Sequence, residues 1–307
     1  MKPLLEGLVV AAYGKRYEVE IATENTNKGL VKRRVSCVTR GKKTDLACGD
    51  HVQIKLTDTG ENSAEGVVEK SLPRKTLLYR SNAFKSKMLA SNVTQVVIVL
   101  ATQPSFYEAL LNRCLIAAEV AGIKALIVLN KCDLSDNSNA LSKLELYKNL
   151  GYEVLPLSAK DDISPLRQHL TGHSSVLVGQ SGMGKSTIVN ALLPNENVRT
   201  REVSSVLDSG KHTTTAAHLY HLDDTSQLID SPGLQEFGLH HLSIEALEHA
   251  FIEFRPYLGK CRFNNCRHMQ EPDCAIITAA ELHVISKERL LSYQSLYSEV
   301  SVKQQYV

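Results

Sequence analysis

Apolar and polar residues alternate along residues 7–68. The segments GLVVAAYGKRYEVEIA, LVKRRVSCVTR and GDHVQIKLT carry this alternation or are rich in β-branched residues, and glycine-containing turns separate them. Alternation is typical of strands that have one face in a core and the other in solvent. A run of such short strands predicts a small closed β-barrel of the OB type in residues 1–72.

From residue 92 onward the pattern changes to uninterrupted apolar runs separated by helical spacing. The runs are TQVVIVLA, KALIVLN, YEVLPLSA and SSVLVG, which is typical of parallel strands buried on both faces. Between the first two runs, Ser105 and Glu108 have capping-box spacing and Gly122 is a helix stop, which predicts a helix opening at Ser105. Strands that alternate with helices predict an α/β domain.

Two further boundaries follow from the pattern. Residues 71–88 are polar and basic, lack periodicity and contain Pro73, so we interpret them as a connector that follows the barrel. The α/β domain is predicted to occupy residues 73–236. Residues 237–307 have helical apolar spacing and contain clustered cysteines, which predicts a separate helical module. The predicted fold is therefore a multidomain α/β chain.

Composition narrows the possible classes of protein. The chain has 307 residues, of which 43% are hydrophobic and 22% charged, as expected of a globular protein of two or three domains. The net charge of +2 gives no overall electrostatic case for nucleic-acid binding, so any basic surface must be local. The apolar runs are too short to span a bilayer, and Glu6 interrupts the only apolar patch near the N-terminus. We therefore expect a cytoplasmic protein without membrane segments.

One segment matches the phosphate-loop pattern GxxxxGK[ST]. GQSGMGKST follows a predicted strand and opens a predicted helix, which disfavours the alternative of a chance glycine-rich turn. Its backbone N–H groups would point at phosphate oxygens, Lys185 would reach the β- and γ-phosphates, and Ser186 would ligate Mg²⁺. The nucleotide contacts predicted here are Gly179, Gln180, Ser181, Gly182, Met183, Gly184, Lys185, Ser186 and Thr187.

A second motif predicts that the nucleotide base is guanine. The Asp133 carboxylate can accept hydrogen bonds from the guanine N1–H and 2-amino groups, whereas adenine would leave it unpaired. A solvated pair of loop charges is the alternative, but it does not explain a phosphate loop in the same chain. Two loops that follow buried strands supply the predicted base contacts, which are Asn130, Lys131, Cys132 and Asp133 in NKCD and Ser158, Ala159 and Lys160 in SAK.

The order of these motifs is reversed with respect to ordinary GTPases. The base motifs come first, then the phosphate loop, then GKHTTT as a first switch and LIDSPGL as a second. Thr213, Thr214 or Thr215 would complete the Mg²⁺ shell, with Thr214 taken as the ligand beside Ser186 and Asp230. The Gly233 N–H would sense the γ-phosphate. A parallel sheet tolerates such a circular permutation because only its connections move.

Residues 261–274 form a cysteine cluster of their own, CRFNNCRHMQEPDC. Cys261, Cys266, His268 and Cys274 would supply three thiolates and one imidazole, a complete tetrahedral set that indicates one structural Zn²⁺ per chain. An iron–sulfur site is the competing interpretation, and the histidine favours zinc over it. A disulfide is not expected in a cytosolic protein.

With these motifs the chain resembles the circularly permuted GTPases, and among them the ribosome small subunit-dependent GTPase A family. The resemblance covers essentially the whole chain and includes the barrel, LPRKTLLYR, NKCDL, GQSGMGKST, GKHTTT, DSPGLQEFGL and the cysteine cluster. It implies an OB-like RNA-binding barrel, a circularly permuted P-loop GTPase domain and a C-terminal helical zinc-binding domain. It also implies a GTPase that acts in late maturation of the small ribosomal subunit and binds near its decoding region.

The residues predict slow hydrolysis by the isolated chain. Leu234 occupies the position at which many GTPases have a glutamine that orients the attacking water. His212 is the best remaining candidate for that role, a choice that the resemblance supports, and the alternative is that His212 contacts RNA or solvent. We therefore expect Lys185 and His212 to be catalytic and the small subunit to stimulate turnover.

RNA binding has direct but modest support in the barrel. A stretch without acidic residues contains Lys28, Lys32, Arg33, Arg34, Arg40, Lys42 and Lys43. Such a run is more often a solvated face, and it becomes an rRNA contact only together with the resemblance. The expected partners are the small ribosomal subunit, its rRNA and GTP or GDP, and we expect a monomer. The alternative functions are a GTP-gated RNA-binding scaffold with incidental hydrolysis and a nucleotide-binding protein with an unrelated partner.

Overall fold

The computed structural model describes residues 3–25, 29–40, 46–57, 65–81, 86–134, 137–194, 217–230 and 237–304. Within these residues a large mixed sheet runs through the molecule, and a smaller hairpin and seven α-helices pack around it. No helix in the described part of the chain is long and apolar enough to cross a membrane.

The N-terminal strands close into a barrel. Its strands are β1 (Leu5–Tyr13), β2 (Arg16–Asn25), β3 (Gly29–Thr39), β4 (His51–Leu56) and β5 (Gly66–Ser71). They follow the order β1-β2-β3-β5-β4, and β4 pairs with β1 again, so the barrel has no free edge between these two strands. The alternating apolar residues fill its interior, as Val9, Val19, Val35, Val52 and Ile54 show. The predicted OB-like barrel is confirmed.

The predicted connector is only partly irregular. Two of its segments are strands, β6 (Leu77–Ser81) and β7 (Ser86–Ser91), which pair in antiparallel orientation. Before them, Arg74 donates two hydrogen bonds of 2.7 Å to the buried carboxylate of Asp50. The segment that follows the barrel is thus fixed to it by an ion pair that the sequence pattern did not reveal.

The central domain is an α/β sheet of six strands. These are β8 (Gln95–Ala101), β9 (Lys124–Asn130), β10 (Glu153–Pro156), β11 (Ser174–Val178), β12 (His218–His221) and β13 (Gln227–Asp230), in the spatial order β10-β9-β8-β11-β13-β12. All of them are parallel except β12, which runs antiparallel to β13. β12 also pairs with β1 at Ala11 and His218, so the barrel and the domain share one continuous sheet.

Four helices connect the strands of this domain. They are α1 (Glu108–Val120), α2 (Ser138–Asn149), α3 (Ser164–Leu170) and α4 (Lys185–Leu192). The predicted capping box at Ser105 is wrong, because α1 begins at Glu108 and its N-cap residue is Tyr107, without a side-chain cap. The Tyr107 N–H instead donates to the side chain of Gln180 at 3.0 Å, so that a tertiary contact replaces the local cap.

The C-terminal module contains α5 (Ile244–Ala250), a 3₁₀ helix (Ile252–Phe254), α6 (Ala275–Glu281) and α7 (Lys287–Gln304). Buried polar contacts hold it on α1. Arg289 is 1% exposed and donates to Glu253 at 2.6 Å and to Asn112 of α1 at 2.7 Å. The guanidinium of Arg113, also on α1, pairs with Glu299 of α7. The module therefore packs against the sheet domain through its side chains.

Candidate nucleotide and metal sites

The phosphate loop lies between β11 and α4, where the sequence placed it. Gly179 has a φ of +145°, and a Cβ there would lie 2.3 Å from the carbonyl oxygen of Val99 on the neighbouring strand. Gly184 is the N-cap of α4 with a φ of +92°, and its Cβ would lie 2.3 Å from the amide nitrogen of Asn130. Both positions require glycine because the backbone approaches other segments too closely for a side chain. The loop is thus shaped by its contacts with β8 and β9.

Lys185 is held inside this loop. Its ammonium donates to the carbonyl oxygens of Gly179 at 2.8 Å and Gln180 at 2.7 Å, and the residue is 9% exposed. Burial lowers the pKa of Lys185, and the charge of Asp230 opposes this effect. Burial in turn raises the pKa of Asp230, while Lys185 lowers it. The two charges share one partly dry site, which a phosphate and its cation would also occupy.

Asn130 joins the base loops to the phosphate loop. Its amide nitrogen donates to the Met183 carbonyl and its amide oxygen accepts from the Ala159 N–H, each at 3.0 Å. Lys131, with a φ of +65°, donates to the carbonyl oxygens of Gly182 and Gln103 at 2.7 Å. One asparagine and one lysine therefore tie three sequence-distant loops together. A pocket at this junction is lined by Asn130, Lys131, Asp133, Leu134, Ser158, Ala159, Lys160, Gly184 and Thr187.

The other residues predicted for this site differ in their exposure and in their hydrogen bonds. Asp133 is exposed at the pocket, while the hydroxyl of Ser158 is buried and has no hydrogen-bond partner among the described residues. Cys132 donates its thiol to the Leu129 carbonyl at 3.2 Å, so it supports the loop from the side of the sheet. Met183 is 1% exposed and takes part through its backbone. Ser181, Gly182 and Ser186 lie on the accessible side of the phosphate loop.

Asp230 ends β13 beside the phosphate loop, next to Leu177 in register. His212, the three threonines of GKHTTT with Thr214 among them, Gly233 and Leu234 lie outside the described residues. The predicted switch contacts and the predicted water-positioning histidine therefore stay predictions.

Cys261, Cys266, His268 and Cys274 meet at one point. Their ligand atoms all lie within 4.8 Å of one another. The Nδ1 atom of His268 is 3.6 Å from Cys261 Sγ, 3.5 Å from Cys266 Sγ and 3.2 Å from Cys274 Sγ, and the sulfurs of Cys261 and Cys274 are 3.8 Å apart. Tetrahedral bonds of about 2.3 Å to sulfur and 2.05 Å to nitrogen would place sulfurs ~3.8 Å from each other and ~3.6 Å from the nitrogen. The cluster can hold a metal ion.

The surroundings of the cluster orient its histidine. The Nε2 atom of His268 faces the carboxylate of Glu248 at 3.7 Å, and Gln294 donates to the His268 carbonyl at 2.9 Å. An imidazole that binds a metal through one nitrogen commonly directs the other towards a carboxylate. Burial raises the pKa of Cys266 to about 12, and the neighbouring thiols add to this effect, so that without a cation this thiol would hold its proton. The sequence analysis did not identify Glu248, because it lies on α5, outside the segment that carries the cysteines.

A loop that the sequence analysis also missed contacts the phosphate loop. Gln103 accepts from Lys131 through its carbonyl, and the Tyr107 N–H donates to Gln180. Pro104 lies beside Gly182, since a Cβ added to Gly182 would be 3.4 Å from the Pro104 ring, which is an ordinary van der Waals contact. No motif marks these residues, since their position depends on β8 ending next to β11.

Comparisons with known proteins agree with this geometry. The chain is 51% identical over 300 residues to "Small ribosomal subunit biogenesis GTPase RsgA" of Nitrosospira multiformis, covering 97% of this chain and 92% of that protein. It is 49% identical over 292 residues to the protein of the same name from Neisseria gonorrhoeae, covering 95% and 91%. These relatives match along nearly their full length.

Two solved structures have the same architecture. YjeQ from Thermotoga maritima superposes with a TM-score of 0.72 at 28% identity, over 97% of this chain and 99% of that one. YloQ, described as a circularly permuted GTPase, superposes with a TM-score of 0.67 at 27% identity, over 98% and 96%. The circular permutation predicted from the order of the motifs is thereby confirmed. Since the profile of the RsgA GTPase family also matches residues 71–240, the chain belongs to the RsgA GTPase family and is a GTPase.

Proposed function

We propose that this GTPase hydrolyses GTP to GDP and phosphate while bound to the small ribosomal subunit and acts in the late maturation of that subunit. The observation that supports the nucleotide part best is the double hydrogen bond of Asn130, which joins the phosphate loop to the base loop. The ribosomal part rests on the names of the relatives, which are small ribosomal subunit biogenesis GTPases. The expected partners are the subunit, its rRNA and GTP or GDP.

Guanine recognition is assigned to the pocket beside Asp133. The exposed carboxylate would accept from guanine N1–H and the 2-amino group, and the unpaired Ser158 hydroxyl offers a buried hydrogen-bonding group in the same pocket. The backbone of Ala159 and Lys160 would approach the base oxygen. Asp133→Asn should change the preference from GTP to XTP, because an amide can donate to the 2-carbonyl of xanthine. Equal affinity of this variant for both nucleotides, measured by calorimetry, would contradict the assignment.

Phosphate binding is assigned to residues 179–187, with Lys185 stabilising the charge that develops on the transferred phosphoryl group. Ser186 and Asp230 are proposed as two residues of a Mg²⁺ site, with Thr214 as the third. Mg²⁺ would neutralise the β- and γ-phosphate oxygens. His212 is proposed to position the attacking water, since Leu234 has no hydrogen-bonding group. His212→Ala should lose most of the stimulated turnover, and full turnover would exclude His212 from this role.

The metal at the cysteine cluster is proposed to be one structural Zn²⁺. Three sulfurs and one nitrogen at tetrahedral separations leave no open position for a substrate. An iron–sulfur cluster would contain inorganic sulfide, so elemental analysis for zinc, iron and sulfide in the purified protein separates the two interpretations.

We further propose three working units, in residues 1–72, 73–236 and 237–307, for RNA binding, GTP hydrolysis and metal-supported docking. The assignment of RNA binding to the barrel rests on the basic stretch that includes Lys32, Arg33 and Arg34 and on its barrel class. A monomer in the cytoplasm is the proposed state and location.

The function is tested by GTP turnover with and without purified small subunits. Stimulation by small subunits, and none by large subunits, is the expected result. Equal rates would contradict the proposal and favour a GTP-gated RNA-binding scaffold. Co-sedimentation with small subunits in GDP and in a non-hydrolysable GTP analogue then shows whether the nucleotide controls binding, and no association in either state would favour an unrelated partner.

A further inference from the structure

A cavity of about 200 Å³ opens beside the cysteine cluster. Three cluster residues line it together with the carboxylates of Glu245 and Glu248, and the full lining is Glu245, Glu248, His249, Leu258, Gly259, Cys261, Phe263, Asn264, Cys266 and His268. Its volume is below the ~300–1,000 Å³ of pockets that bind drug-sized ligands, so a single planar ring fits it better than a whole nucleotide. The nucleotide site described above lies elsewhere and does not use it.

An exposed aromatic residue stands at this cavity. Phe263 is 42% exposed, whereas the other phenylalanines among the described residues are buried, namely Phe106, Phe237, Phe251 and Phe254. It belongs to the arm Arg-Phe-Asn-Asn between Cys261 and Cys266, all four residues of which are exposed. Structural zinc sites typically have two to four residues between such cysteines, so this arm is at the long end of the usual range. Its length carries the phenyl ring into solvent.

The arm is held in a defined shape. The Cys266 N–H donates to the Phe263 carbonyl at 3.2 Å, which closes a turn. The guanidinium of Arg262 lies 5.5 Å from the centre of the Phe263 ring and pairs with Asp273 at 2.8 Å. A phenyl ring and a guanidinium plane are the two side-chain surfaces on which unpaired RNA bases stack. The ordering of such an arm before binding reduces the entropy lost on binding.

The polar groups in the cavity match the edge of a nucleobase. The amide of Asn264, the carboxylate of Glu245 and the imidazole of His249 offer both donors and acceptors. An aliphatic peptide side chain would leave these groups unpaired. The carboxylates of Glu245 and Glu248 can accept from the ring N–H or amino groups on the edge of a base. The positive charges near the cavity, on Lys260, Arg262 and Arg267, are partly neutralised by the nearby carboxylates of Glu271 and Asp273. Attraction of RNA phosphates alone would therefore not account for binding at this surface.

We propose that the cavity between the cysteine cluster and Phe263 binds one unpaired base of single-stranded RNA, which stacks on Phe263 and Arg262. The choice of RNA as the partner rests on the proposed function, because the relatives act in the biogenesis of an RNA-containing particle. The contact would add recognition of an RNA base to a protein whose contacts with the RNA backbone are assigned to the barrel.

The absence of tryptophan from the sequence permits a local test. Phe263→Trp, in the full-length metal-loaded protein, introduces a single indole at the cavity, and stacking of a base quenches indole fluorescence. We expect saturable quenching by twelve-nucleotide oligo(rU) and oligo(rA) probes, and none in the matched control Leu282→Trp, whose site is on the same module, 69% exposed and outside the cavity. An unquenched Phe263→Trp protein, under conditions in which labelled-RNA anisotropy shows binding, would overturn the proposal.

Affinity provides a second readout. Phe263→Ala should weaken oligonucleotide binding about tenfold, and Phe263→Tyr should keep it, because a stacked base contributes this much by alanine substitution. The dependence of affinity on salt should not change, since no phosphate contact is removed. Equal loss in both variants, or no loss in either, would contradict stacking. Zinc content of each variant shows whether the cluster is intact.

These outcomes are separate from those of the proposed function. If Phe263→Trp is unquenched while small subunits still stimulate GTP turnover, only the base pocket is wrong. If naked oligonucleotides quench the indole but subunits do not stimulate turnover of the wild-type protein, the pocket stands and the ribosomal assignment fails.

Discussion

The nucleotide site and the cysteine cluster are built in opposite ways. The loops of the nucleotide site come from Asn130, Gly184 and Asp230, which are far apart in the chain and meet because β9, β11 and β13 end at the same edge of one sheet. The cluster takes all its ligands from residues 261–274 and has little regular structure of its own. The fold therefore shapes the nucleotide site before any ligand binds, whereas we expect the cluster to depend on a bound metal for its shape.

Metal removal should have the largest effect. Chelation, or Cys274→Ser, should unfold the C-terminal module locally, since structural zinc binding contributes about 10–16 kcal/mol in small zinc domains. GTP binding by the sheet domain should persist, because none of the residues predicted to contact the nucleotide belongs to the cluster. Hydrogen exchange checks both parts at once. Unchanged protection of α6 and α7 in the metal-free protein would show that the fold shapes the cluster too.

The buried ion pair between the module and α1 comes next. Arg289→Leu leaves the buried carboxylate of Glu253 without its cationic partner, which should cost about 3–5 kcal/mol in the free energy of unfolding, while the Asn112 amide oxygen keeps its hydrogen bond from the Tyr147 hydroxyl. The matched control is Arg255→Ala, whose pair with Glu119 is half exposed and should contribute less than about 1 kcal/mol. Urea unfolding measures both. Similar losses would mean that the module is not held by this network.

Substitution of Lys185 tests whether the fold shapes the phosphate loop without this side chain. Lys185→Ala should lower GTP turnover by about two to three orders of magnitude, as removal of a charge-stabilising donor does in other enzymes. Its stability should not fall strongly, because a buried charge and its desolvation are removed together. Lys124→Ala, a surface lysine paired with Glu153, is the control and should keep full turnover. A strong loss of stability in Lys185→Ala would show that the lysine shapes the loop itself.

The two sites also differ in how far the sequence predicts them. All four cluster ligands were predicted from the spacing of Cys261, Cys266, His268 and Cys274, because neighbours in sequence must be neighbours in space. The phosphate and base loops were predicted because their motifs fix local backbone shapes, such as the glycine at Gly184. Their mutual contact through Asn130 follows from the sheet and required the structure.

Contacts between distant segments were not predictable from pattern. The start of α1 was placed at Ser105 by a local capping rule, but the Gln180 side chain satisfies the Tyr107 N–H from another loop. Strands β6 and β7 pair in antiparallel orientation although their sequences lack clear alternation. The burial of Arg289 and Glu253 could not be predicted, since charged residues at helical spacing usually indicate a solvent-exposed face of a helix. In each case a tertiary partner decides the outcome.

The smallest predicted effect is at the surface of the module and depends on pH. Burial alone would raise the pKa of Glu299, but the hydrogen bonds and charge of Arg113, together with His240, hold that pKa below its ordinary value of 4.5. A carboxyl group with a lowered pKa in the folded state stabilises the fold above its unfolded pKa, and this contribution is lost as the pH falls through the folded value.

Glu299→Gln should therefore destabilise the protein by about 2 kcal/mol at neutral pH, the size expected for a hydrogen bond between charged groups. The difference from the wild type should shrink as the pH falls below 4.5, because the wild-type carboxyl group then also becomes neutral. Glu281→Gln, an exposed carboxyl group on α6, should change stability little at either pH. Urea unfolding across this range measures the difference. A difference in the free energy of unfolding that stays constant at acid pH would mean that the charge of Glu299 does not contribute to stability. The module would then be held on α1 by the packing of its side chains, as the strands of the barrel are held by their apolar interior.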